Sequence, residues 1–91
     1  MKIVVNRGYG GFGLSKKACI FLGLEHEYYC GEYDDEDKRT DEKLIKCVET
    51  LGEEADGRAA ALEVVEIPDD VEWYIEEFDG DETIHEKHRI W

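Results

Sequence analysis

The chain has 91 residues, of which 42% are hydrophobic and 11% aromatic, and its 24 Asp and Glu against 11 Lys and Arg give a formal charge of −13. This length supports one domain with a single modest core, and the apolar content argues against a wholly disordered chain. So negative a charge excludes direct binding to a nucleic-acid backbone unless the few cations cluster, and it favours a basic protein partner.

The N-terminal half predicts a strand, a loop and a helix in turn. Residues 2–5, KIVV, are mostly β-branched and predict a strand buried on both faces. A glycine-rich loop follows, after which Ser15 can cap a short helix that ends at Gly23. The segment 26–33, HEYYCGEY, is compatible with a short strand, and an acidic loop at about 31–39 is the segment expected to be most mobile.

A second helix is predicted to begin at Thr40, the expected N-cap, with Asp41 and Glu42 complementing the helix dipole. Gly57 is its predicted C-terminal cap, and Gly52 is an alternative, earlier end for the regular helix. Apolar residues at three- and four-residue steps predict one buried face, which comprises Leu44, Val48, Leu51 and Ala55 with Ile45 beside them.

The C-terminal third predicts β structure. Residues 62–67, LEVVEI, form one candidate strand, and residues 71–78 form another whose apolar positions alternate with polar ones. Asp79-Gly80 is typical of a two-residue type I′ hairpin turn. That turn predicts the cross-strand pairs Phe78–Asp81, Ile75–Ile84 and Glu72–Lys87.

These elements predict the fold class. We expect one α+β domain over residues 1–91, with two helices packed on one face of a small, mainly antiparallel sheet that ends in a β-hairpin. No segment has the apolar length of a signal peptide or a membrane span, so a cytoplasmic protein without membrane contact is expected. Cys19, Cys30 and Cys47 are odd in number and lack a C-x-x-C pair, which favours buried, reduced thiols over a disulfide framework.

The glycine-rich loop is the first candidate site. Gly8, Gly10 and Gly13 have the G-x-G-x-x-G spacing, but a dinucleotide fold needs repeated β-α-β units for which this chain is too short. Two interpretations remain. In the first the loop is structural, and Tyr9 and Phe12 pack on the core or on a partner. In the second a phosphate of a nucleotide-type ligand binds to Arg7, Gly8, Gly10, Gly11, Gly13, Ser15 and Lys16.

The C-terminal HEKHRIW, residues 85–91, is the second candidate. In the predicted register His85, Lys87, Arg89 and Trp91 share a face, where they either offset neighbouring acids or add His88, Arg89 and Trp91 to the ligand site. Convergence of Arg7, Lys16 and Arg89 on one pocket would favour the ligand site. His85 and His88 fall on opposite faces of a strand, so no metal site is expected.

No catalytic set is apparent. The chain has no nucleophile elbow, no H-E-x-x-H and no cysteine flanked by an activating histidine. Carboxylates are so numerous that pairing any two as acid and base carries no information. We therefore expect a protein that is not an enzyme and that has no cofactor.

Three phrases carry a resemblance: KIVVNRGYGGFGLS at 2–15, ETLGEEADGRAAALEVVEIPDDVEW at 49–73 and EKHRIW at 86–91. In these three segments the chain resembles a family of small, functionally uncharacterised proteins encoded by bacteriophages and prophage-bearing bacteria. The family has a longer segment before RTDEKL, where this chain has only residues 23–38, so a function of that segment is not expected here. The resemblance implies a phage context and no particular chemistry.

Phage context and acidity together favour an inhibitor of host defence, or a host-takeover protein, that binds the basic nucleic-acid-binding surface of a host protein. Two alternatives are a nucleotide-type ligand binder that sequesters a signalling molecule at the glycine-rich loop, and an assembly module that acts as a homo-oligomer. The residues expected to contact the host protein are Glu32, Asp34, Asp35, Glu36, Asp37, Glu72, Glu76 and Glu77.

Overall fold

The structure is a computed structural model and describes residues 1–24 and 33–86. It confirms the α+β class. Its elements in chain order are strand β1 (Lys2–Asn6), helix α1 (Lys16–Phe21), helix α2 (Glu42–Leu51) and strands β2 (Leu62–Glu66), β3 (Trp73–Phe78) and β4 (Asp81–Glu86), with 3-10 helices at Glu36–Lys38 and Gly52–Ala55. The strand predicted at 26–33 falls, apart from Tyr33, outside the described residues.

Within the described residues the strands form two antiparallel sheets of two strands each, β1–β2 and β3–β4, where the sequence predicts a single sheet. The reason lies at the outer edge of β1. There the Val4 N–H donates to the Arg39 carbonyl over 2.9 Å, and the Asn6 N–H donates to the Glu82 carboxylate over 2.7 Å. A loop carbonyl and a side chain thus take the hydrogen bonds that a third strand would make.

The core lies between β1 and the helices. Ile3, Val4 and Val5 have no exposed surface, which confirms that β1 is buried on both faces. Val4 belongs to the cluster formed with the apolar face of α2, and each such fully buried side chain contributes about 1.5–3 kcal/mol. The predicted apolar face is buried at Leu44 and Val48, and Cys47 joins it. Ile45 and Leu51 are half-buried against it, and Ala55 is buried in the 3-10 helix that follows α2.

The helix ends agree with the sequence in part. Ser15 is the N-cap of α1, where its hydroxyl accepts the Ala18 N–H over 3.0 Å. The predicted cap Thr40 is wrong by one residue, because the Asp41 carboxylate accepts the Lys43 and Leu44 N–H groups over 2.8 and 3.3 Å. Gly52, at φ 58°, ends α2, whereas Gly57 is not its cap.

The hairpin follows its predicted register. Phe78 pairs with Asp81 and Ile75 with Ile84 across the two-residue turn, in which Asp79 and Gly80 have φ of 50° and 86°. Lys87, the predicted partner of Glu72, lies outside the described residues. Because side chains alternate along a strand, one face of the hairpin, called here the outer face, carries Tyr74, Glu76, Phe78, Asp81, Thr83 and His85.

Candidate functional site

The glycine-rich loop packs tightly against the segment before β2. The Gly10 N–H donates to the Ala59 carbonyl over 3.1 Å, and a Cβ at Gly10 would lie 2.4 Å from the Ala59 Cβ. The Gly8 N–H donates to the Asn6 side-chain oxygen over 3.0 Å. Both amides therefore have partners within the protein, and a phosphate would have to compete for them.

Two further members of the predicted ligand set, Arg7 and Ser15, have partners too. The Arg7 guanidinium donates to the Glu63 carboxylate over 2.9 Å and to the Glu82 carbonyl over 2.8 Å. The Ser15 hydroxyl donates to the Glu54 carbonyl over 2.6 Å while it caps α1. Lys16 is exposed at the start of a helix of only six residues. This geometry favours the structural interpretation of the loop.

The remaining residues of the predicted ligand set are two loop glycines and three residues near the C-terminus. The Gly13 carbonyl accepts the Gly57 N–H over 2.9 Å, and Gly11 makes a positive-φ turn at 84°. His88, Arg89 and Trp91 fall outside the described residues. The convergence of Arg7, Lys16 and Arg89 that would favour the ligand site involves Arg89, which is not among the described residues.

The two aromatic residues of the loop have different environments. Phe12 packs against the core cluster, and its ring lies under the Arg39 guanidinium, whose central carbon is 3.7 Å from the ring centroid. Tyr9 instead is 85% exposed. Packing on the core is thus confirmed for Phe12, while Tyr9 is available for an external contact.

Asn6 connects the loop to the hairpin. Its side-chain NH₂ donates to the Gly80 carbonyl over 2.6 Å and to the Gly8 carbonyl over 2.8 Å, and its oxygen accepts the Ala61 N–H over 2.8 Å. With the Gly8 N–H described above, every hydrogen-bonding position of this buried amide is occupied. Asn6 therefore holds the hairpin turn, the glycine-rich loop and the start of β2 in one arrangement.

A buried ion pair joins the acidic loop to the hairpin. The Arg39 guanidinium donates to both Glu82 carboxylate oxygens, over 2.6 and 2.9 Å, and the two side chains are only 4% and 9% exposed. Arg39 also donates to the backbone carbonyls of Tyr33 and Asp34. Sequence reasoning missed this pair, because 43 residues separate its members and neither stands out from other charged residues.

The predicted acidic residues come together at the hairpin. The Glu36 carboxylate accepts the Ile75 N–H, which points away from β4, so residues 34–37, called here the acidic segment, lie beside the outer edge of β3. Residues 59–86 contain eleven Asp and Glu and no Lys or Arg. Two acidic regions distant in sequence are therefore neighbours in the fold, while Glu32 lies outside the described residues.

The carboxylates predicted on the hairpin differ in orientation. Glu76 lies on the outer face, where it is 3.3 Å from the His85 ring nitrogen, and Tyr74 stacks on the same ring. Glu77 points to the opposite face, and its carboxylate accepts the Gly80 N–H over 3.0 Å. Glu72 is exposed just before β3. Among these three, Glu76 has the clearest position for contact with a partner.

The described cysteines are buried, as predicted. Cys19 and Cys47 are free thiols in the core, and Cys30 lies outside the described residues. Burial, with a smaller contribution from Cys19, raises the pKa of the Cys47 thiol above its ordinary value of 9.0. The Cys47 thiol therefore does not have the environment of a reactive nucleophile.

The raised pKa of Cys47 predicts a loss of stability in alkali. The unfolded chain ionises this thiol near pH 9.0, before the folded chain does, so the free energy of unfolding should fall as pH rises above that value. Urea denaturation between pH 7 and 10 measures it, with Cys47→Ala as the control, in which the fall should be smaller. Equal slopes for the two proteins would contradict the prediction.

The described residues also bear on metal sites and membrane-spanning helices. Within residues 1–24 and 33–86, no three His, Cys, Asp or Glu side chains form a group able to hold a metal ion. In this part of the chain no helix combines the length and the apolar character that crossing a bilayer demands.

The chain matches no protein-family model, no curated protein and no solved structure. What the structure defines is a small α+β protein with an acidic hairpin, held to the rest of the fold by Asn6 and by the Arg39–Glu82 pair.

Proposed function

We propose that this protein is a non-enzymatic binding protein whose acidic hairpin occupies a basic, nucleic-acid-binding surface of a host protein. The phage context implied by the sequence motifs makes that host a bacterial cell and the outcome inhibition of its defence or transcription machinery. The observation that carries the proposal is the contact of Glu36 with the Ile75 N–H, which adds the acidic segment to the edge of an already acidic hairpin.

The charge distribution supports a partner of opposite sign. Glu76, Glu77 and Asp79 are exposed on the hairpin, which has no Lys or Arg between residues 73 and 86, and Asp35, Glu36 and Asp37 add exposed carboxylates at the edge of β3. Exposed charges interact over about 10 Å at 0.1 M salt, so carboxylates that lie within that distance of one another act on a partner together. Such a field accelerates encounter with a basic surface and repels nucleic acid and other acidic proteins.

The way the hairpin is held also supports this role. The Arg39–Glu82 pair and the hydrogen bond from Asn6 to Gly80 fix the hairpin against β1 and the glycine-rich loop. Association costs less when an interface is ordered before binding, since fewer side chains and loops lose freedom. A pre-ordered acidic surface therefore keeps more of its interaction free energy for competition with nucleic acid than a disordered acidic segment would.

The test compares two double variants with the same change in charge. Glu76→Gln with Asp79→Asn removes two hairpin charges, and Asn suits the positive φ of the turn. Glu42→Gln with Glu53→Gln, on the helical side, is the matched control. A basic protein captured from bacterial lysate is purified, and its affinity for each variant is measured by calorimetry at rising salt.

We expect the hairpin variant to bind about 3- to 10-fold more weakly and the control variant within about twofold of the native chain. Affinity for the native chain should fall steeply with salt, and nucleic acid should compete. An affinity that does not change with salt concentration, or an equal loss of affinity in the two variants, would refute the proposal. Thermal stabilisation by cyclic or ADP-ribose nucleotides would favour the ligand-binding alternative instead.

A further inference from the structure

The hairpin turn meets the glycine-rich loop at one end of the molecule. Here Gly80 lies directly on the loop backbone: a Cβ at Gly80 would be 2.6 Å from the Tyr9 carbonyl oxygen and 2.5 Å from the Gly11 nitrogen. The Asn6 side chain also donates to the Gly80 carbonyl over 2.6 Å. We call this end, formed by Tyr9, Phe78, Asp79 and Gly80, the hairpin tip.

The hairpin tip exposes two aromatic side chains. Tyr9 is 85% exposed and Phe78 is 80% exposed, the highest values among the large hydrophobic residues of the described chain. An aromatic side chain buries about 150–250 Å² when it is covered, so leaving two of them in water forgoes substantial stabilisation. Exposed aromatic residues on a well-ordered backbone are typical of the anchor residues of protein interfaces.

The charges around the hairpin tip define what can cover these rings. Glu76, Glu77, Asp79 and Asp81 flank Phe78 in the sequence of the hairpin, and the nearby Arg7 is already bound to Glu63 and to the Glu82 carbonyl. A second copy of this chain would bring like charges together, which opposes self-association through this end. A cationic segment of a partner can satisfy two requirements, since it can pair with the carboxylates and stack on the faces of the aromatic rings.

Arginine satisfies both requirements better than lysine. Its planar guanidinium stacks on aromatic rings while its N–H groups bind carboxylates, whereas the lysine ammonium is a compact and strongly hydrated charge. The fold already contains this arrangement in its interior, where Arg39 lies over the Phe12 ring and binds the Glu82 carboxylate.

We propose that the hairpin tip is an arginine-anchoring site, at which Tyr9 and Phe78 stack on arginine side chains of the partner while the adjacent carboxylates bind the guanidinium groups. The inference rests on the proposed function, because it names where on the acidic hairpin the basic partner is held and which basic residue it supplies.

The probes are two labelled twelve-residue peptides, one alternating arginine with serine and the other alternating lysine with serine. They carry equal charge, so their difference in affinity, measured by fluorescence anisotropy, reports stacking beyond charge attraction. We expect the arginine peptide to bind about fivefold more tightly or better. Tyr9→Ser with Phe78→Ser should remove this preference and leave the weaker, salt-sensitive binding of both peptides.

The control variant is Ile20→Ser, which removes a side chain that is 68% exposed on α1, outside the hairpin. It should keep the preference for arginine. Circular dichroism first confirms that each variant is folded, which is expected because the replaced side chains are mostly exposed.

Equal affinities for the two peptides, or a preference that survives the loss of both rings, would overturn the anchoring site while leaving the acidic binding function intact. Failure of both peptides to bind the native chain would overturn both. Analytical ultracentrifugation gives a further test. A native dimer that dissociates in the Tyr9→Ser, Phe78→Ser variant would also overturn the anchoring site, because the rings would then serve self-association.

Discussion

Replacing Arg39 by methionine is expected to lower the free energy of unfolding by about 3–5 kcal/mol. The substitution keeps much of the side-chain volume but leaves the Glu82 carboxylate buried and without its charged partner. It also removes the donors to the Tyr33 and Asp34 carbonyls and the cation beneath which Phe12 packs. For a domain of 91 residues this is a large part of the total stability.

Urea denaturation followed by circular dichroism measures the loss. The matched control is Lys17→Met, which breaks an ion pair of similar length, 2.6 Å to Glu54, between side chains that are 61% and 64% exposed. That loss should stay under about 1 kcal/mol. Arg39→Lys, which keeps the charge but not the two-pronged geometry, should be intermediate. Arg39→Met with Glu82→Gln, which removes the uncompensated charge and keeps an oxygen for the Asn6 N–H, should recover part of the loss. Similar losses for Arg39→Met and Lys17→Met would contradict the role given to the buried pair.

Replacing Gly80 by alanine is expected to cost about 2–4 kcal/mol, since two effects add. Gly80 has φ of 86°, where an L side chain is strained, and the new Cβ would lie 2.5 Å from the Gly11 nitrogen and 2.6 Å from the Tyr9 oxygen. Backbone atoms form both contacts, so the clash cannot be relieved by turning a side chain. The turn and the glycine-rich loop would have to separate.

Gly11→Ala separates the two effects. Gly11 has nearly the same φ, 84°, but a Cβ there would meet nothing within 4 Å. Its substitution should therefore cost only the conformational strain, about 1–2 kcal/mol. Thermal denaturation of the two variants gives the comparison. If Gly11→Ala is as damaging as Gly80→Ala, the contact between the hairpin tip and the loop does not contribute to stability.

Local features of the fold were predictable from the sequence. The Asp79-Gly80 turn fixes the register of its hairpin because only one pairing follows a two-residue loop, and Ile75 does face Ile84. The apolar spacing of α2 also identified the face that is buried. The start of that helix was misplaced by one residue because Thr40 and Asp41 are both good caps, and only the backbone path decides which of them reaches the free amides.

Long-range features were not predictable. The Arg39–Glu82 pair and the edge contacts of β1 depend on residues that are distant in the chain, and nothing in their spacing signals a contact. The same applies to the candidate site. The carboxylates could be counted from the sequence, but their gathering at the hairpin depends on Glu36 reaching Ile75, and the exposure of Tyr9 depends on the path of the loop.

The hydrogen bond from Ile75 to Glu36 has a consequence for behaviour at high concentration. A strand at the margin of a sheet presents unsatisfied amides on which another polypeptide can assemble, the first step toward fibrils. In β3 a carboxylate takes the amide at mid-strand, and an incoming chain would have to displace it against electrostatic repulsion. The edge of β3 can thus stay exposed to solvent while it resists edge-to-edge pairing with another copy of the chain.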